Sequence, residues 1–309
     1  MGNPRLDERY GICGKLDKNS EDYAQRRRTA THRFLGQELF RIFPDGSRIE
    51  VPARQGDWIE EGKGPVTTWE DLEKFPWPRA EEMDMRAFDY YEHNIPDDMR
   101  VFIVVSLWEA VRDLIGFETL CYKLHDDREF VKTVFEKAAE FNLGIVSSIC
   151  DYNCLGAVCL PDDLGFKTST LIGTKDIREL IIPWHKKLAD IAHSHGKCLL
   201  FHSCGQMYEV MNDYLELVRI DAKHSFEDVI MPVAQAKKLY GDRLSLLGGM
   251  DVDLLARADE ETIRARTREI LDGCFQGGGY CLGSGNWVTE YIPVDNYLVM
   301  LDEGRRYTK

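Results

Sequence analysis

Apolar residues gather in short unbroken blocks over the last two thirds of the chain. Val101-Phe102-Ile103-Val104-Val105-Ser106-Leu107 is the first block and Gly156-Ala157-Val158-Cys159-Leu160 the second; residues 198–202, 217–221, 244–248 and 279–283 follow. Apolar runs of this length, bounded by turn signals, predict strands buried on both faces. Between them the apolar positions recur at helical period, as over residues 176–195 and 260–271. Strands alternating with helices predict a parallel sheet covered on both sides, either doubly wound or closed as a (β/α)8 barrel. No Gly-x-Gly-x-x-Gly follows a strand and opens a helix, which counts against a dinucleotide-binding sheet. A barrel needs two strands beyond these six, from less obvious N-terminal sequence.

Residues 1–100 are more polar and turn-rich. The Asp45-Gly46 pair inside Phe43-Pro44-Asp45-Gly46-Ser47-Arg48-Ile49-Glu50-Val51 predicts a hairpin. Residues 68–73 predict a short capped helix that Phe75-Pro76-Trp77-Pro78 terminates. The expected organisation is one domain, 1–309, with 1–100 an accessory N-terminal segment and 101–309 the barrel core.

The predicted strands end in reactive side chains. Asp162-Asp163 follow one, His202-Ser203-Cys204-Gly205 another, and Lys223-His224-Ser225 and Gly248-Gly249-Met250-Asp251 two more. Chemistry delivered at the C-terminal ends of several strands is the layout of a barrel's active face. His202 and Cys204 are two apart, so an extended strand end points both the same way. Imidazole plus thiolate suits Zn²⁺, and a third ligand from a neighbouring strand would complete a catalytic site with one open position. Cys281, in the last strand, is the best candidate for it. The competing reading is a satisfied core histidine beside a small buried cysteine.

Asp162 and Asp163 are open to three roles: helix cap, carboxylate ligand or general acid. Neighbours on an extended segment face opposite ways, so only one meets the site. Glu109 carries the same ambiguity, and His224 and Glu227 are within reach of the same mouth. Trp108, Tyr280 and Trp287 are candidates to stack on a substrate. The Gly277-Gly278-Gly279 run precedes a strand instead of following one, so it reads as a turn and not as a phosphate loop.

Composition narrows the partners. With 309 residues and 44 % hydrophobic content the chain is an ordinary globular sequence, and its net charge of −14 argues against nucleic acid. No stretch approaches the ~20 apolar residues of a membrane helix. Nine cysteines without framework spacing do not form a disulfide scaffold, which fits a reducing, cytoplasmic protein.

Asp162-Asp163-Leu164-Gly165, Phe201-His202-Ser203-Cys204-Gly205, Leu247-Gly248-Gly249-Met250-Asp251 and Gly278-Gly279-Tyr280-Cys281-Leu282-Gly283 together resemble the uroporphyrinogen decarboxylase superfamily, in order over about residues 100–309. Trp69-Glu70-Asp71-Leu72-Glu73-Lys74-Phe75-Pro76-Trp77-Pro78 is similar to its N-terminal part. The resemblance implies a (β/α)8 TIM barrel. The porphyrinogen-gripping Arg-Gln-Ala-Gly-Arg motif of the decarboxylases is absent. The corrinoid-dependent methyltransferase branch binds zinc with a His-x-Cys pair, matched by His202 and Cys204, and a distant Cys that falls where this chain has Asn286. A shifted ligand, Cys281, is the implied replacement.

The subgroup most resembled is the O-demethylase methyltransferases acting on methoxylated aromatics. It implies transfer of a methyl group from such a donor, or another O- or N-methyl compound, to Co(I) of cobalamin on a separate corrinoid protein. Asp163 would then assist the leaving group, with Asn286 among the substrate-facing residues. Alternatives are a metal-independent decarboxylase of a small carboxylate and a non-catalytic corrinoid- or metal-binding barrel. The oligomeric state is open.

Overall fold

The computed structural model describes residues 6, 9–51 and 62–307. Seven parallel strands form one sheet in sequence order: β1 (Leu39–Arg41), β2 (Arg100–Val104), β3 (Leu155–Pro161), β4 (Cys198–His202), β5 (Ala222–His224), β6 (Ser245–Leu247) and β7 (Tyr280–Cys281). Helices connect successive strands, and the side-by-side order makes every crossover step in the same direction. The result is a curled α/β sheet, a half-barrel. Among the described residues β1 and β7 are its free edges and an eighth strand closing them is not present. The edges nonetheless approach, since the charge of Glu38, just before β1, acts on the Cys281 thiol of β7. Arg305 of the last helix also donates to the Phe34 carbonyl of the helix Tyr23–Leu35 at 3.0 Å.

The central strands are apolar because helices cover both faces. Leu155, Ala157, Val158 and Leu160 of β3 are all buried. The helix Arg128–Ile149 packs through Phe130, Val134, Phe135, Ala138, Asn142, Ile145 and Ile149, a stripe at helical period. The helix expected at 68–73 runs Trp69–Lys74; Thr68 Oγ1 accepts from the Asp71 N–H at 3.1 Å and Asp71 accepts in return from the Thr68 N–H at 2.9 Å.

Three expectations need correction. The apolar run 217–221 is not a strand: Tyr214–Val218 continues the preceding helix as a π-helical turn, buries Tyr214, Leu215 and Val218, and ends at Arg219 with φ 61°. The strand, β5, begins only at Ala222. The Asp45-Gly46 turn makes no hairpin; Ser47 N–H bonds back to the Pro44 carbonyl at 3.2 Å, and the preceding β1 pairs in parallel with β2 instead. Thus β1 lies inside the segment expected to be accessory.

Register sets up the site. Pro161 pairs with His202 and His202 with His224. The residues just beyond β3, β4 and β5 therefore meet at one edge of the sheet.

Candidate metal centre at the strand ends

Asp163, His202 and Cys204 each offer one ligand atom, and these atoms lie within 4.8 Å of one another. His202 Nε2 is 3.5 Å from Cys204 Sγ and 3.4 Å from Asp163 Oδ1. The backbone N–H of Cys204 donates to Asp163 Oδ1 at 2.8 Å, which locks the β3 and β4 loops together. Two glycines make that approach possible. A Cβ on Gly205, where φ is +76°, would come within 2.2 Å of the Gly165 backbone, and one on Gly165 within 2.6 Å of Gly205.

The sulfur of Cys204 has two further donors, Asn286 Nδ2 at 3.2 Å and Ser225 Oγ at 3.7 Å. His202 Nδ1 meets His224 Nδ1 at 2.6 Å, and His224 Nε2 donates to the Ser284 carbonyl at 3.0 Å. Lys223 lies behind the cluster, buried, with its ammonium on the carbonyls of Ser203 and Ser225 at 3.3 and 2.8 Å and over the Phe226 ring at 4.7 Å.

Burial sets the ionisation pattern. It works against an Asp163 carboxylate, but the His202 ring and the Cys204 N–H outweigh it and hold that carboxyl down at about 2. Burial and the Asp163 charge push the Cys204 thiol up to about 12. Burial lowers Lys223 to about 8 and, with His202 beside it, His224 to about 4. Glu109 rises to about 8: burial drives it up, Arg112 pulls it down, and the charges of Asp162 and Asp163 push it further up.

The donor set fits a zinc ion. It combines one imidazole nitrogen, one sulfur and one carboxylate oxygen, all on half-buried residues. The thiol proton would be released as a cation bound here.

Asp162 and Asp163 face opposite ways, as an extended segment requires. Asp162 is buried and turned away from the three ligand atoms, into the start of the helix Trp108–Ile115. It accepts from Ser106 Oγ at 2.8 Å, from the N–H groups of Leu107 and Glu109 at 3.1 Å, and is paired with His185 Nε2 at 2.8 Å. Tyr214 closes the chain on His185 Nδ1 at 3.0 Å. Burial opposes the Asp162 charge, yet His185 and these donors hold its carboxyl low. Removing it strands a buried imidazole and a helix N-terminus. Asp162→Ala is therefore expected to lose about 3–5 kcal/mol in urea denaturation; a loss under ~1 kcal/mol would show that the network relaxes around the gap.

Cys281, the expected third ligand, does not join the cluster. It sits exposed on β7 near Glu38. Asn286, where the resemblance implies a cysteine, instead touches the Cys204 sulfur. Trp108 is wholly buried, edge-on to Phe117. The Tyr280 hydroxyl donates to the Gly248 carbonyl at 2.7 Å. Trp287 is exposed, with its backbone N–H on Asn286 Oδ1 at 2.7 Å.

Ser225 was named only as part of a strand end, and sequence reading missed Arg112, His185 and Tyr214. Of these only His185 left a signal, a lone polar residue in the apolar stripe Ile182, Leu188, Ala189, Ala192 of the helix Ile182–Ser194.

The chain matches the Uroporphyrinogen decarboxylase (URO-D) family over residues 29–307. It belongs to this family. Within the uroporphyrinogen decarboxylase family, a methylated-thiol–coenzyme M methyltransferase of Methanosarcina mazei is 30 % identical over 279 residues, 86 % of this chain and 72 % of that protein. A uroporphyrinogen decarboxylase of Cupriavidus necator is 31 % identical over only 85 residues, 26 % of this chain and 23 % of its own. A solved methyltransferase from Methanosarcina mazei matches with a TM-score of 0.73 at 14 % identity, covering 99 % of this chain and 91 % of the other; that likeness is one of fold. The long match to a methyltransferase supports methyl transfer as the reaction class. No helix among the described residues is long and apolar enough to cross a membrane.

Proposed function

We propose that the protein is a zinc-dependent methyltransferase that passes a methyl group from a small methyl donor to Co(I) of a separate corrinoid protein. The observation that carries this reading is the convergence of Asp163, His202 and Cys204 at the ends of adjacent strands, ligand atoms within 4.8 Å of one another. Zinc held there would supply Lewis acidity toward the leaving heteroatom of the donor. Asn286 and Ser225 donate to the sulfur and temper its charge. Glu109, whose carboxyl burial pushes up to about 8 while Arg112 donates to both of its oxygens, would give its proton to the departing oxygen as the carbon–oxygen bond breaks. The cobalt supplies the electron pair of the new bond to carbon, so the remaining task of the chain is positioning.

A methoxylated aromatic is the leading donor, with the exposed Trp287 available to stack on its ring. The name of the Methanosarcina mazei relative favours a second donor class, a methyl thioether.

Metal content of the purified, zinc-reconstituted protein tests the reading. About one zinc per chain is expected in wild type and in Cys281→Ala alike. Zinc lost in Cys281→Ala would restore Cys281 as a ligand, and no zinc in wild type would overturn the mechanism. Assay against aromatic methyl ethers and methyl thioethers, with a reduced corrinoid protein as acceptor, then separates the two donor classes.

A further inference from the structure

We propose that His224 is a positioning residue that fixes the tautomer of His202 and so presents His202 Nε2, stripped of hydrogen, to the metal. The inference rests on reading Asp163, His202 and Cys204 as metal ligands and goes beyond that reading by explaining how the histidine is prepared before any metal arrives.

The argument is a count of hydrogens along one line of contacts. The Ser284 carbonyl only accepts, so the His224 Nε2 that approaches it at 3.0 Å carries a hydrogen. A neutral His224 therefore has a bare Nδ1. That nitrogen is 2.6 Å from His202 Nδ1, a separation that requires one hydrogen between them, and only His202 is left to provide it. In the neutral ring that metal ligation requires, His202 then has its hydrogen on Nδ1 and a lone pair on Nε2. This lone pair looks at the Cys204 sulfur, 3.5 Å away, and at Asp163 Oδ1, 3.4 Å away. In the metal-free chain this lone pair accepts from the Cys204 thiol; a cation entering here would displace that hydrogen and meet an imidazole lone pair, a thiolate and a carboxylate oxygen.

A second observation pins the far end of the line. Gly248 has φ +90°, and a Cβ there would lie 2.3 Å from the Ser284 carbonyl oxygen and 2.9–3.0 Å from the His224 ring. Glycine at 248 thus leaves room for the ring and the carbonyl to meet. The line spans three strand ends, β4, β5 and the segment after β7, so the tautomer is set by the sheet and not by a mobile side chain. Residues bonded to the far nitrogen of a ligating histidine commonly tune metal affinity in this way.

The test combines one spectrum with one titration. Nitrogen NMR of metal-free wild type should show His202 protonated on Nδ1 and His224 on Nε2. Zinc affinity, measured by competition with a chromophoric chelator, should weaken about 10–100-fold in His224→Leu. His224→Gln should recover most of it, because its carbonyl can accept from His202 while its amide donates to Ser284. A hydrogen found on His202 Nε2 overturns the proposal, as does wild-type affinity in a folded His224→Leu. If His224→Leu does not fold, the wild-type spectrum alone decides. Wild type with the Nδ1 hydrogen but no zinc affinity would uphold the tautomer and sink the metal reading instead.

Discussion

Cys204→Ser is expected to lose its zinc and to lower methyl transfer on the order of 10³-fold, the equivalent of about 4 kcal/mol of transition-state stabilisation. The substitution is nearly isosteric, and a serine oxygen still accepts from Asn286 and Ser225, the two donors now on the sulfur. Folding should survive, with far-ultraviolet circular dichroism and the denaturation midpoint close to wild type. What changes is the ligand chemistry. A thiolate is a strong zinc ligand that the metal itself creates from the thiol, whereas a serine hydroxyl does not ionise at neutral pH. Because burial and Asp163 already push the Cys204 thiol up to about 12, the folded chain alone does not supply the thiolate. Full activity in a zinc-free Cys204→Ser would move the chemistry away from the metal altogether. Partial zinc retention with full loss of turnover would instead show that His202 and Asp163 can hold the ion without activating the donor.

Legibility of this site in the sequence followed the length of the local signal. His202 and Cys204 were readable because β4 runs straight up to His202, so a spacing of two has a definite meaning there. Asp163 stood out only as half of a pair, and its partner Asp162 caps a helix and pairs by hydrogen bond with buried His185, a role that local sequence does not distinguish from a catalytic one. The third-ligand reading failed to gather its residues for a different reason. β7 has only two residues, and the chain turns through Gly283, Ser284 and Gly285 before Asn286 reaches the Cys204 sulfur. A period-two argument has no reach across such a turn.

The fold shows the same division. Long apolar strands such as β3 were plain, while the three-residue β1 left no pattern and the apolar run at 217–221 began as the buried face of a π-helical turn. Side chains that converge from distant loops, Ser225 and Asn286 on one sulfur, carry no mutual signal along the chain. Their meeting is set by parallel register, with His202 beside both Pro161 and His224.

Glu109→Gln is expected to reduce kcat by about 10²–10⁴-fold and to erase the alkaline limb of the pH–rate profile. In wild type the carboxyl is half-buried in the first turn of the helix Trp108–Ile115, held up to about 8 by burial and by the charges of Asp162 and Asp163, against the pull of Arg112. With Glu109 as the proton donor, activity should fall roughly tenfold per unit once pH passes about 8 and the carboxylate is left to its ion pair with Arg112. Glutamine keeps the shape and a hydrogen-bond donor but has no proton to surrender. The effect of Arg112→Gln fixes the sign of the assignment: without the guanidinium, the carboxyl is harder to ionise and the alkaline limb should move to higher pH. The same raised value has a consequence for stability. A carboxyl whose folded value is raised contributes stability that is complete below its unfolded value near 4.5 and is lost as pH rises through about 8. Glu109→Gln escapes that loss, so its melting temperature relative to wild type should climb between pH 5 and pH 8. A variant that keeps wild-type kcat, or keeps the limb at pH 8, would remove Glu109 as the proton donor and leave Asp163 or solvent to serve the leaving group.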